Sequence, residues 1–187
     1  DLSGVRRMMD LGGGSGVMSL ALLRRCPDLT ALVVDIANVC AAGRKIAAEQ
    51  SMEARLTFQE ADYEQDELPS GFDLVLQCDV GGFSERVLQK VWDALEPGGR
   101  LAVVDQLAPE QGLAPATAPR PLWAFLASME NPDLSYPTAD EIQAALRQSG
   151  FREFSQTLLP QRGTLRWTRD WVLIEAWKEF QKNETHP

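Results

Sequence analysis

The chain has 187 residues, 44% of them hydrophobic and 24% charged, which is the balance of an ordinary globular domain with room for one core. Its formal net charge of −9 argues against DNA or an anionic membrane as a partner, because proteins that bind phosphate chains concentrate Lys and Arg. No run approaches the roughly 20 consecutive apolar residues of a membrane-spanning helix, and no signal peptide is visible.

The first half of the chain alternates short apolar runs with helical patterns, as expected for a parallel sheet covered by helices on both faces. Helices are predicted to begin near Ser15, Asn38 and Ser84. The last of these is predicted to stop at Pro97-Gly98-Gly99, a helix-end signal directly before a strand. The pattern predicts a Rossmann-like, doubly wound α/β fold. The predicted strands cover residues 7–11, 31–35, 56–59, 72–78 and 101–106.

The second half begins with a connecting segment rich in proline, followed by a short apolar helix over residues 122–130. Thr138-Ala139-Asp140-Glu141 is a capping box, and the helix that it opens is predicted to end at Gly150. Two runs, 151–159 and 170–177, are predicted to pair antiparallel at the sheet edge. The whole sheet would then have seven mostly parallel strands and an antiparallel last strand.

Three cysteines, Cys26, Cys40 and Cys78, lie far apart and without CxxC spacing in apolar surroundings. This pattern favours buried, reduced thiols over a disulfide framework or a metal site. We therefore expect no metal and a cytoplasmic location.

A glycine-rich turn, Asp10-Leu11-Gly12-Gly13-Gly14-Ser15-Gly16, joins the first predicted strand to the first helix. Glycines let the backbone approach a ligand closely, and a helix start offers unpaired N–H groups, so the turn predicts a site for a nucleotide-like ligand. A dinucleotide fingerprint needs a third glycine where Val17 stands, which disfavours a reductase that uses NAD. Asp35, at the end of the second strand, can accept two hydrogen bonds from the hydroxyls of an unphosphorylated ribose.

The stretch from Met9 to Gly16 resembles motif I of class I methyltransferases, specifically of the O-methyltransferase family typified by plant phenolic methyltransferases and their bacterial relatives. Further segments resemble landmarks of that family, in the same order along the chain. These segments are Val34-Asp35-Ile36-Ala37-Asn38-Val39, Glu60-Ala61-Asp62-Tyr63, Phe72-Asp73-Leu74-Val75-Leu76, Leu95-Glu96-Pro97-Gly98-Gly99-Arg100-Leu101 and Gly150-Phe151.

The resemblance implies S-adenosylmethionine as the cofactor and a small, aromatic or polyketide-like methyl acceptor, with oxygen as the expected acceptor atom. It places the methionine part of the cofactor against Gly12 and Gly14, its ribose on Asp35, and its adenine on Asp62 and Tyr63. Methylation at nitrogen or carbon, or a weakly catalytic domain that only binds cofactor or a partner, are the alternatives. The expected cofactor-binding residues are Asp10, Gly12, Gly14, Gly16, Asp35, Asp62, Tyr63 and Cys78.

Methylation of a hydroxyl also requires removal of its proton. The family carries a His just after the fourth strand, and that position falls on Gly81 here, while the single His of the chain is His186 in a tail, 182–187, predicted to be disordered. Asp79, at the carboxyl end of the fourth strand, is a candidate base, although a turn-capping acid explains it equally well. Asp105 matches a family acid that orients the base. Otherwise the nucleophile needs no strong base.

The short apolar helix carries Trp123, Leu126 and Met129, which the resemblance places in the acceptor pocket, although plain core packing is the competing interpretation. Members of the family also carry an N-terminal helical domain that forms dimers. This chain begins almost at its first strand, so we expect one domain over residues 1–187 without that helical domain. A homodimer is expected only if the full-length protein contains it.

Overall fold

The strands in the first half of the chain are parallel, and helices cover both faces of their sheet. Because both faces are buried, these strands are nearly continuous apolar runs. The computed structural model describes residues 1–107, 137–159 and 171–179. These residues form one sheet of seven strands in the order β3-β2-β1-β4-β5-β7-β6. The strands are β1 (Arg7–Leu11), β2 (Thr30–Asp35), β3 (Leu56–Glu60), β4 (Phe72–Cys78), β5 (Leu95–Gln106), β6 (Glu153–Leu159) and β7 (Trp171–Trp177).

The strands β1 to β5 run parallel to one another, whereas β7 is antiparallel to both β5 and β6. This arrangement confirms the predicted doubly wound α/β fold with an antiparallel last strand. It also confirms the antiparallel pairing of the last two strands, with β7 inserted between β5 and the edge strand β6.

Four described helices cover the sheet: α1 (Val17–Arg25), α2 (Ala37–Glu49), α3 (Glu85–Ala94) and α4 (Ala139–Gln148). Consecutive strand residues point to opposite faces, so Met8 joins the core beneath α1 and α2 while Met9 joins the core beneath α3 and α4. The capping box of Thr138 and Glu141 is confirmed at the start of α4. None of the helices in the described ranges is long and apolar enough to cross a membrane.

The predicted end of α3 at Pro97-Gly98-Gly99 is wrong, because the helix ends at Ala94 and β5 has already begun at Leu95. Leu95 is extended and pairs with Phe72, after which the register between β4 and β5 shifts. Gly98 has φ +84°, and a Cβ on Gly99 would lie 2.9–3.1 Å from backbone carbonyl oxygens. The Pro-Gly-Gly sequence therefore forms a bulge inside a strand instead of a helix end.

The start of β5 at Leu95 lies six residues before the predicted start at Leu101. The other element boundaries differ from the prediction by one or two residues, a normal uncertainty at element ends. The observed ends that differ in this way are Val17, Thr30, Ala37, Glu60, Glu85, Gln148 and Glu153.

All three thiols are free. Cys40 is buried as predicted, whereas the prediction of burial is wrong for Cys26 and Cys78, which are half-buried near element ends.

Candidate functional site

Three glycines of the turn after β1 have left-handed backbone: φ is +68° at Gly12, +60° at Gly14 and +77° at Gly16. The Gly12 N–H donates to the Val34 carbonyl on β2 (2.8 Å), and the Gly16 N–H donates to the Gly13 carbonyl (3.0 Å). Because helical backbone cannot include these conformations, α1 begins at Val17, two residues later than predicted. The turn thus lies at the carboxyl edge of the parallel strands, where open α/β sheets bind ligands.

The four glycines of the turn face different surroundings. A Cβ on Gly13 would lie 2.4 Å from Cγ of Asp10, and one on Gly12 would lie 3.0 Å from the Val80 side chain. A Cβ on Gly16 would lie 3.2 Å from the Phe58 ring, so this buried glycine faces the core. Only the Cβ direction of Gly14 is open, with no heavy atom within 4 Å. Gly14 is therefore the glycine of this turn where a ligand has room to approach.

Asp35 connects the end of β2 to the glycine turn. Its Oδ2 accepts a hydrogen bond from the Gly14 N–H (2.8 Å), and its Oδ1 accepts one from the Ile36 N–H (2.7 Å). A carboxylate has about four lone-pair positions, so both oxygens retain capacity for hydroxyl donors. Asp35 is half-buried, and the geometry fits a group that fixes the turn and still accepts from a diol.

Asp10 is fully buried at the end of β1, beneath the glycine turn. Its Oδ2 accepts a short hydrogen bond from the Ser19 hydroxyl (2.6 Å), whereas its buried Oδ1 has no hydrogen-bond partner among the residues that the structure describes. Burial raises the pKa of Asp10 to about 6, with a further increase from the nearby Asp35 charge, while hydrogen bonds from Ser19 act in the opposite direction. Sequence reasoning missed Ser19, whose only signal is a polar residue on the buried face of an otherwise apolar helix.

Cys78 ends β4 next to the same edge and is half-buried. Burial raises the pKa of its thiol to about 11, and the charges of Asp10, Asp79 and Asp105 add to the increase. At neutral pH the group is a neutral thiol, so it is neither a base nor an anionic nucleophile.

The loop after β3 carries Asp62 and Tyr63, so it lies at the same sheet edge. Asp62 is exposed, and its Oδ1 accepts from the Glu64 N–H (2.9 Å), while its Oδ2 accepts none of the described hydrogen bonds. Tyr63 is half-buried, and burial raises the pKa of its phenol, which stays protonated at neutral pH. A Cβ on Gly82 would lie 3.4 Å from the Tyr63 ring, so this loop touches the loop between β4 and α3.

The loop between β4 and α3 holds the candidate base Asp79, which is exposed and has φ +58°. Its N–H donates to the Val104 carbonyl on β5 (2.9 Å), and the Gln77 side-chain amide donates to the Gly82 carbonyl (3.1 Å). Gly81 is exposed with φ +69°, and its Cβ direction is open within 4 Å. At the carboxyl edge of the sheet, this loop therefore places Asp79, with its strained backbone, next to the open space at Gly81.

Asp105 lies near the carboxyl end of β5 and is 7% exposed. Because β4 and β5 are parallel neighbours, with Cys78 opposite Val104, Asp79 and Asp105 share the same edge. The predicted acceptor contacts Trp123, Leu126 and Met129 lie outside the described residues. His186, the apolar helix 122–130 and the tail 182–187 also lie outside them. Within the described ranges, no cluster of three or more His, Cys, Asp or Glu side chains is arranged to hold a metal ion.

Comparison with known proteins adds a family match to this geometry. The model of the O-methyltransferase domain family matches residues 1–152 of the chain. The chain is 40% identical over 124 residues to the 3-hydroxy-5-methyl-1-naphthoate 3-O-methyltransferase of Streptomyces sahachiroi, a match that covers 63% of this chain and 36% of that protein. It is 32% identical over 123 residues to the L-tyrosine C(3)-methyltransferase of Streptomyces lavendulae, covering 63% and 34%.

The fold has counterparts among solved structures. The apo form of the S-adenosylmethionine-dependent methyltransferase SibL superposes with a TM-score of 0.76 and 28% identity, over 96% of this chain and 52% of SibL. The chain thus spans roughly a third to a half of the length of these proteins.

Proposed function

The chain belongs to the O-methyltransferase domain family, and from that membership we propose that it binds S-adenosylmethionine and takes part in methylating a small, aromatic or polyketide-like acceptor at oxygen. The observation that carries the proposal is the bond between Gly14 and Asp35. It joins an open glycine backbone to a carboxylate with spare acceptor capacity, at the carboxyl edge of the sheet.

The residues present fit this cofactor. The open space at Gly14 admits its methionine part, and Asp35 accepts from its ribose hydroxyls. The buried Oδ1 of Asp10, which lacks a partner, suits the positive charge of the amino group. Asp62 and Tyr63 take the adenine amine and ring, with Gly12 and Cys78 completing the walls of the site, while Gly16 supports the turn from the core side.

S-adenosylmethionine, when bound, supplies a methyl group on a positively charged sulfur, so transfer is an in-line displacement. The protein aligns the acceptor oxygen with that methyl carbon and accepts the proton that the acceptor loses. Asp79 is the proposed proton acceptor, because its exposed carboxylate lies at the edge next to the open space at Gly81. Asp105 is proposed to hold the acceptor or Asp79 in place.

Calorimetric titration with S-adenosylhomocysteine and NADH tests the cofactor assignment. We expect binding of the first compound and none of the second. Asp35→Ala removes the bond to Gly14 and should weaken binding about tenfold or more. Asp28→Ala, an exposed acid before β2 at the opposite edge, is the matched control and should bind like the wild type. A folded wild-type chain that does not bind S-adenosylhomocysteine would exclude the proposal.

Transfer of a labelled methyl group to a panel of phenols tests the roles of the two acids. Asp79→Asn keeps a residue that tolerates left-handed backbone, so its loss of kcat reports on the carboxylate and not on backbone strain. We expect kcat to fall about a hundredfold or more, with little change in the cofactor KM. Full activity of Asp79→Asn and Asp105→Asn at neutral pH would show that neither acid serves as base.

Methylation at carbon is the second candidate, favoured by Gly81 at the position where the family carries its base and by one relative named as a C(3)-methyltransferase. An activated aromatic carbon attacks the methyl group before it loses its proton, so it needs a weaker base than a hydroxyl does. NMR of the labelled product distinguishes a methoxy carbon from an aryl methyl carbon.

The remaining assignments are parts of the same proposal. Trp123, Leu126 and Met129 would contact the acceptor, and the protein would work in the cytoplasm as one domain of a homodimer if its full-length form carries the helical dimerisation domain. Replacement of Trp123 by Ala should raise the acceptor KM and leave cofactor binding unchanged.

A further inference from the structure

Lys90 of α3 is an unusual buried cation, because it is 9% exposed yet has no carboxylate partner among the described ion pairs. Its Nζ instead donates to three backbone carbonyls: those of Tyr63 (3.0 Å), Glu64 (3.2 Å) and Asp66 (2.7 Å). One ammonium group has three donors, so these bonds use its full capacity. All three acceptors belong to the loop that follows β3.

Burying a lysine is costly unless each donor is satisfied, so a buried lysine that binds one loop fixes the conformation of that loop. The other hydrogen bonds of residues 61–66 lie mostly within the loop: the Gln65 and Asp66 N–H groups donate to the Asp62 carbonyl, the Glu64 N–H donates to Asp62 Oδ1, and the Asp62 N–H donates to Asp66 Oδ2. The loop is also joined to the rest of the fold by the Ala61 N–H, which donates to the Asp35 carbonyl, and by longer bonds from Ser84 and Arg86. Without Lys90, three carbonyls of this loop would lose their donor. Lys90 thus binds the Tyr63 backbone directly, and the Tyr63 ring lies beside Gly82.

We propose that Lys90 is a positioning residue for the adenine end of the cofactor: its ammonium group holds the loop that presents Asp62 and Tyr63. This inference rests on the proposed function, which assigns adenine to those two side chains. Lys90 does not itself touch the ligand. Its position in the sequence, three residues after Val87 and four before Ala94 on the buried face of α3, is one that an apolar residue would normally take.

The test compares Lys90→Met with Lys45→Met, a substitution of an exposed lysine on α2. We expect the Kd of S-adenosylhomocysteine, measured by calorimetry, to rise about tenfold for Lys90→Met and to stay unchanged for Lys45→Met. The Kd of S-inosylhomocysteine, whose base lacks the exocyclic amine, should rise by a smaller factor. That difference separates positioning of Asp62 from a general loss of structure, which would weaken both ligands equally.

A double-mutant cycle with Asp62→Asn gives a second readout. If Lys90 acts through the loop, the Kd of the double variant is no higher than that of the single variant with the higher Kd. If the two residues act independently, the fold-increases in Kd of the two single variants multiply. Lys90→Met leaves three carbonyls without a donor and can prevent folding. Lys90→Arg keeps a buried cation with several donors, so it is the variant to use in that case. It should recover part of the affinity lost in Lys90→Met.

The outcomes distinguish this inference from the proposed function. A folded wild type that does not bind S-adenosylhomocysteine overturns both. A wild type that binds, together with a folded Lys90→Met that binds equally well, overturns only the role of Lys90, whereas recovery of affinity in Lys90→Arg supports it. Equal losses for the adenine and hypoxanthine ligands, or multiplicative losses in the cycle, also overturn it.

Discussion

Replacing Asp10 by asparagine removes a buried negative charge and keeps the size and shape of the side chain. The wild-type carboxyl is enclosed by the Ser19 hydroxyl and by Gly13, whose Cα lies directly against it, and the nearby charged group is Asp35 on β2. The Cys78 thiol, which also feels the Asp10 charge, is neutral below about pH 11. We expect Asp10→Asn to make the folded state more stable at neutral pH and cofactor binding weaker.

The magnitude follows from the pKa of Asp10, which burial raises from an ordinary value of 3.8 to about 6. Between these two values the folded chain holds a proton that the unfolded chain has released, so the free energy of unfolding decreases as pH rises. The full decrease is about 3 kcal/mol, and about 2 kcal/mol of it falls between about pH 4.5 and about pH 7.5. Above about pH 7 the stabilising proton is lost and the cost is nearly constant.

Urea denaturation of the wild type and of Asp10→Asn across this pH range measures the effect. Other carboxylates titrate in both proteins, so the difference between the two free energies of unfolding isolates Asp10. That difference should grow with pH in favour of the variant and level off above about pH 7. Calorimetry at about pH 7.5 should show binding of S-adenosylhomocysteine weakened about tenfold, because the amide cannot pair with an ammonium group.

Two results would refute this reasoning. A stability difference independent of pH would show that Asp10 has the same pKa in the folded and unfolded chain. A variant that is less stable than the wild type at pH 8 would show that the ionised carboxylate is satisfied by contacts other than those described.

Three further predictions test neighbouring features. Ser19→Ala removes a donor that lowers the pKa of Asp10, so the loss of stability with rising pH should move to higher pH, and an unchanged profile would contradict the assigned hydrogen bond. Gly13→Ala places a Cβ 2.4 Å from the Asp10 carboxyl carbon, so it should lower the free energy of unfolding, measured by urea denaturation, by about 1–3 kcal/mol. Gly14→Ala should lower it by about 1 kcal/mol because Gly14 has left-handed backbone, and it should abolish detectable calorimetric binding of S-adenosylhomocysteine. Thr138→Ala removes the hydroxyl that accepts from the Glu141 N–H in the capping box, so it should lower the free energy of unfolding by about 1 kcal/mol. Ligand binding should stay unchanged, and weaker binding would show that α4 is coupled to the site.

The order of strands and helices was predictable because hydrophobic period and glycine position directly encode local structure in a parallel sheet. The capping box at Thr138 shows this well, since the side chains of Thr138 and Glu141 each accept from the backbone N–H of the other residue, within four residues of sequence. The bulge at Pro97-Gly98-Gly99 was not predictable, because the same residues end helices elsewhere. Its cause is a register shift against Phe72, more than twenty residues away in the sequence.

The candidate site divides in the same way. Asp35 and the glycine turn were recognisable because each is defined by spacing along the chain, and the structure brings them together through the Gly14 N–H. Ser19 and Lys90 act across the fold, on Asp10 and on the Tyr63 loop respectively. The only local signal of either residue is a polar side chain on the buried face of a helix, which does not reveal its partner.

The energetic costs in this structure are distributed unevenly, and their distribution supports a ligand site at the carboxyl edge. Away from that edge, two half-buried cationic groups donate to backbone carbonyls: the Arg55 guanidinium donates to those of Leu23, Cys26, Pro27 and Leu29, and Lys178 donates to two carbonyls at the end of α3. The left-handed Ser51 has a structural reason, since it follows the end of α2. At the edge, by contrast, Asp10 has an oxygen without a hydrogen-bond partner among the described residues, and Asp79 has left-handed backbone that no helix end requires. Both features are consistent with the proposed positions of the cofactor and the acceptor.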